Sequence, residues 1–111
     1  MDTFSCVVAC LIGVACVIIG VLNRRGNVKM LHSYHYKRVK PEDILPFGKL
    51  VGLGMIIVGV PIIIFSILTG IAVYNQMEIL VIVGSIIMTV GIVVGAGIAF
   101  YAMKKYNKGI F

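Results

Sequence analysis

The side chains best suited to chemistry lie in one short run, His32-Ser33-Tyr34-His35-Tyr36, followed at once by Lys37, Arg38 and Lys40. His32 and His35 can share a helical face as two metal ligands, with Glu42 and Asp43 as candidates to complete the set. Two histidines without a cysteine or a close carboxylate rarely suffice for a metal. Ser33 beside a histidine supplies the residue types of a hydrolytic pair, but neighbours in sequence do not give triad geometry. The run is therefore expected to hold no catalytic residue, no metal and no cofactor, and the chain is not expected to be an enzyme. The simpler chemistry is recognition. Tyrosine and histidine rings sit at headgroup depth while the cations beside them bind phosphates. His32, Tyr34, His35, Tyr36, Lys37, Arg38 and Lys40 are accordingly the candidate residues for binding lipid headgroups or a protein partner.

These residues belong to a long polar stretch, Asn23 to Lys49, that separates apolar segments. Seven of the ten basic residues are in it (Arg24, Arg25, Lys29, Lys37, Arg38, Lys40 and Lys49), opposed only by Glu42 and Asp43. The 111-residue chain is 60% hydrophobic and 13% charged, with a formal charge of +6. Soluble domains carry roughly a quarter charged residues, and a small one cannot bury this much Ile, Val and Leu. A bilayer removes that difficulty by acting as the solvent. Because the positive charge abuts apolar spans, anionic lipid is a nearer partner than nucleic acid.

The first span is Phe4 to Leu22, uncharged, reaching about 28 Å as a helix against a hydrocarbon thickness of about 30 Å. Only Asp2 precedes it among charged residues, which argues for an uncleaved helix over a signal peptide. Its three cysteines, Cys6, Cys10 and Cys16, read as small apolar packing groups. The second span, Leu50 to Tyr74, has Pro61 near its middle as a cause for a kink. The polar turn Asn75-Gln76-Met77-Glu78 forces an antiparallel hairpin with the third span, Ile79 to Met103. Between the first two spans, Val28 to Val39 is expected to form a short interfacial helix with Leu31, Tyr34 and Val39 toward lipid. Pro41-Glu42-Asp43 looks like a helix start, and Pro46 is expected to break or bend that helix.

All ten basic residues lie in the 23–49 loop or the C-terminal tail. Basic loops stay cytoplasmic, so the N-terminus is expected outside, the loop inside, the 75–78 turn outside and the C-terminus inside. No span holds an ionisable acid, base or histidine, which argues against a proton-coupled transporter. Uncharged spans also disfavour a hydrophilic pore.

In lipid, helices associate by close packing through small residues. Each span has such residues at helical spacing: Ala9, Gly13, Cys16 and Gly20; Gly52, Gly59, Ser66 and Gly70, with Gly48 one turn earlier; Gly84, Gly91, Gly95 and Ala99. The bland expectation is a closed three-helix bundle. Gly97 gives the third span a second small face beside the Gly91–Gly95 motif, a surplus that points to a homo-oligomer or a partner helix.

The stretch LHSYHYKRVKPEDILPFGKLVGLG resembles a segment of small three-span membrane proteins of Gram-positive bacteria, most specifically at His32, Tyr34, His35, Lys37, Arg38, Val39, Glu42, Asp43, Gly48 and Lys49. Some proteins of that kind resemble immunity proteins encoded beside secreted toxins. The resemblance implies residence in the bacterial cytoplasmic membrane and brings no catalytic motif. The sequence thus leads to an all-α, three-span membrane protein, residues 1–111 as one unit. Its expected role is to bind another membrane protein or a membrane-acting toxin, with service as an accessory subunit of a transport or secretion complex as the alternative.

Overall fold

The computed structural model describes residues 3–28 and 36–109. Among them every regular element is helical: α1 (Thr3–Arg24), a single 3₁₀ turn (Pro41–Asp43), α2 (Ile44–Asn75) and α3 (Glu78–Tyr106). All three α-helices are long and apolar enough to cross a membrane. They are rich in Ile and Val, residues of modest helix propensity. In hydrocarbon that preference is overridden, because a helix satisfies every backbone N–H and C=O within one segment. Large apolar side chains such as Phe4, Leu11, Ile86 and Val93 are more than half exposed, an arrangement that suits lipid and not water.

Each helix end follows from local chemistry. Past α1, Gly26 adopts φ 92°. The N–H of Asn27 then reaches the Leu22 carbonyl at 3.0 Å and that of Gly26 reaches Asn23 at 3.0 Å, a Schellman ending. α2 ends similarly, with the Met77 N–H on the Ala72 carbonyl at 3.0 Å. Here, however, the left-handed position is held by Gln76, φ 56°. Glu78 opens α3 with an acid in the first turn, where the helix dipole favours it.

α2 is the organising element. α1 packs on one side of it and α3 on the other, both antiparallel to it, and α1 and α3 barely touch. The closed bundle expected from the sequence is thus replaced by a layer centred on α2. α2 is also longer than its apolar span: its 32 residues reach about 48 Å, against a molecular length of 52 Å. Pro46, expected to break or bend the helix, sits in its first turn, where a missing N–H has no intrahelical partner to lose. The helix also runs unbroken through Pro61.

Backbones meet at glycines. A Cβ built on Gly13 would lie 2.9 Å from the Gly59 carbonyl oxygen, and one on Gly59 would lie 2.7 Å from that of Gly13. Gly20 and Gly52 are paired in the same reciprocal way, with 2.7 Å from Gly20 to the Gly52 oxygen. On the α3 side, Gly54 and Gly95 meet at 2.5 Å in both directions. Such spacing admits no side chain and allows Cα–H···O contacts between helices.

Candidate functional site

α1 and α3 end, and α2 begins, at the same end of the molecule, so Arg24, Arg25, Lys37, Arg38, Lys40, Lys49, Lys104, Lys105 and Lys108 gather there, all exposed. The first two turns of α2 stand beyond its long apolar run and give the connecting segment something to fold on. Val28 and Val39 are buried against Phe47, Val51, Ala102 and Met103, with Tyr36, Ile44 and Tyr106 packed around them. Val39, expected to face lipid, is 8% exposed, and residues 36–39 form a turn closed by the Val39 N–H on the Tyr36 carbonyl at 3.0 Å. Burial against Phe47 removes more apolar surface than an interface would. His32, Tyr34 and His35, like Leu31, lie outside the described residues, and so does most of the expected interfacial helix.

Long-range polar contacts pin this end. Asn107, fully buried after the last turn of α3, accepts the Arg38 N–H at Oδ1, 2.8 Å, and donates from Nδ2 to the Gly109 carbonyl, 2.9 Å. Arg24 donates from Nη1 to the Lys49 carbonyl at 3.1 Å. Phe47 and Tyr106 stack edge to face with centroids 6.4 Å apart. The Lys105 ammonium lies 5.2 Å from the Tyr106 ring centre and 6.0 Å from that of Tyr101. The result is a firm platform with Lys37, Arg38 and Lys40 turned outward and Tyr36 half-buried beneath them. Within it Asn23 is fully buried, and neither its side-chain nitrogen nor its oxygen has a hydrogen-bond partner among the described residues. Among the described residues no group of three His, Cys, Asp or Glu side chains is placed to hold a metal ion.

The small residues divide as follows. Gly13, Gly20, Gly48, Gly52 and Gly59 lie in the α1–α2 contact, with Cys16 beside Gly59; Ala9 is half-buried. Gly84, Gly91, Gly95 and Ala99 are buried, and the three glycines pack on α2 at Phe65, Pro61 and Gly54 respectively. Gly91 and Gly95 are therefore occupied within the chain, whereas Gly70 and Gly97 meet nothing within 4 Å. Gly54, Phe47, Asn23 and Asn107 carry no mark in the sequence that sets them apart. A central helix needs two small faces, and that requirement would have picked out Gly54.

One side of α2 stays open. The faces toward α1 (Gly52, Ile56, Gly59, Ile63) and α3 (Gly54, Val58, Pro61, Phe65) are nearly opposite on the helix. Between them, on one side, Val51, Ser66 and Thr69 are buried; on the other, Leu53, Val60, Ile64, Ile67 and Ile71 are 37–54% exposed. Steps of seven, four, three and four residues make this an apolar seam of the kind that packs against a neighbouring helix. No protein-family model, curated protein or solved structure matches the chain.

Proposed function

We propose that this chain is a non-enzymatic, multi-pass protein of the bacterial cytoplasmic membrane that binds a helix of another membrane protein along the open seam of α2. The observation that carries the reading is the seam itself, Leu53, Val60, Ile64, Ile67 and Ile71, left half-exposed between two flanking helices. Three long apolar helices support membrane residence. The gathering of cations at one end supports an orientation with that end in the cytosol. Its most concrete form is protection of the producing cell: a membrane-acting toxin whose helix seats on the seam cannot assemble elsewhere. Cells expressing the chain should keep their membrane potential when challenged with the cognate toxin. Equal depolarisation with and without the chain, across the toxins encoded nearby, would end this form of the proposal.

The platform at the basic end favours a second reading, an accessory subunit docked through Tyr36, Lys37, Arg38 and Lys40. A constant set of host membrane proteins should then co-purify with the chain and be lost on Arg38→Ala. Release as a free monomer in mild detergent would count against it.

A further inference from the structure

We propose that the end of α3 carries a site for one anionic phospholipid, its phosphate held by Lys104 and Lys108 and an acyl chain lying along Gly97. An open cleft of about 600 Å³ is lined by Gly97, Phe100, Tyr101, Lys104, Lys108 and Gly109. Its two ends differ chemically. At the lower end nothing stands within 4 Å of the place a Gly97 side chain would take, and Phe100 and Tyr101, about half exposed, form apolar walls. At the upper end are two ammonium groups, and none of the lining residues is acidic. Gly97 and Lys104 are seven residues apart, about 10 Å of helix rise. That is the distance over which a lipid passes from its phosphate into its acyl region.

The two ammonium groups are available, and the backbone that carries Lys108 is held in place. Neither the Lys104 nor the Lys108 ammonium has a hydrogen-bond or ion-pair partner among the described residues, whereas that of Lys105 is engaged by the Tyr101 and Tyr106 rings. Lys108 takes a left-handed backbone, φ 60°, and the turn it makes is tied down on either side. The Gly109 N–H donates to the Met103 carbonyl at 3.2 Å, and the Gly109 carbonyl accepts from Asn107 Nδ2 at 2.9 Å. Charge complementarity selects an anionic headgroup, and the apolar lower half selects a lipid over a free phosphate. The site is on the opposite flank from α1 and does not depend on what occupies the α2 seam.

Native mass spectrometry of the full chain in neutral detergent tests this, with dioleoyl phosphatidylglycerol, dioleoyl phosphatidylcholine and glycerol 1-phosphate as probes. One phosphatidylglycerol should be retained, in preference to phosphatidylcholine, and glycerol 1-phosphate should not displace it. The double variant Lys104→Gln/Lys108→Gln should bind it about thirtyfold more weakly, while Lys105→Gln, which removes a neighbouring charge, should bind as the parent does. Gly97→Phe, which fills the lower half, should also weaken binding. Equal retention of both lipids, displacement by glycerol 1-phosphate, or the same loss from Lys105→Gln as from the double variant would overturn the proposal.

Discussion

The backbone of Gly91 lies against the ring of Pro61, at the point where that proline leaves the Ile57 carbonyl without its usual N–H donor. A Cβ on Gly91 would stand 2.8 Å from Pro61 Cβ and 3.1 Å from the Ile57 oxygen. One glycine thus lets α3 close over a defect in α2. Gly91→Ala should therefore destabilise the protein by about 1–3 kcal/mol through overpacking. Gly97→Ala, on an open face, should be neutral or stabilising by up to about 1 kcal/mol. Unfolding of both variants in mixed micelles checks the contrast, and equal effects would remove the distinction between the two faces.

Asn107 joins the end of α3 to a segment 69 residues earlier through the Arg38 N–H. Asn107→Ala removes the acceptor of that part-buried bond, a loss of about 0.5–1.5 kcal/mol. The segment from Tyr36 to Lys40 should then be cut faster by trypsin at Lys37 and Arg38, the two basic residues in it that no proline follows. In the proposed orientation this cleavage occurs in inverted vesicles and not in intact spheroplasts. Cleavage from the outer face would reverse the orientation.

Asn23 and Thr69 are buried with unpartnered side-chain polar atoms. Removing polarity while keeping the heavy-atom outline should help: Asn23→Leu, whose methyl groups are bulkier than the amide, is expected to stabilise by up to about 1 kcal/mol net of packing strain, and Thr69→Val to be neutral or better. Thermal unfolding in micelles is the measurement. A lower melting temperature for Asn23→Leu would mean that the amide has a partner after all.

Three long apolar helices are legible in the sequence because uncharged runs of that length have few other places to go. What lies between and beyond them is less so. Hydropathy starts the second span at Leu50, yet α2 begins at Ile44. The extra turns carry Phe47, whose burial at 0% exposure depends on α3 and the connecting segment. Periodicity alone points Val39 toward lipid, because it describes one helix and does not register what folds back on it. The small-residue stripes identify candidate faces but not their pairing. Gly91–Gly95 and Gly97 read as two small faces of the third span, one of them surplus, and nothing in the stripes says that Gly91 and Gly95 are the pair that α2 takes, opposite Pro61 and Gly54. The Asn107–Arg38 bond has no local signature at all.

Gln76 ends α2 in a left-handed conformation that costs a residue with a side chain about 1–2 kcal/mol. Gln76→Gly should relieve part of this and stabilise the hairpin between α2 and α3 by about 0.5–1 kcal/mol, net of the entropy glycine adds to the unfolded chain. Amide exchange of the last turn of α2 should slow accordingly; faster exchange would contradict the strain.

The seam of α2 is tested most directly by photocrosslinking in the native membrane, with a benzophenone side chain at Ile64 and, as control, at Val93 on the outer face of α3. The expected result is a discrete protein adduct from Ile64, identified by mass spectrometry as a secreted toxin or another membrane protein, with lipid adducts alone from Val93. Lipid adducts alone from both positions would contradict the claim that the open side of α2 is a binding surface for a helix.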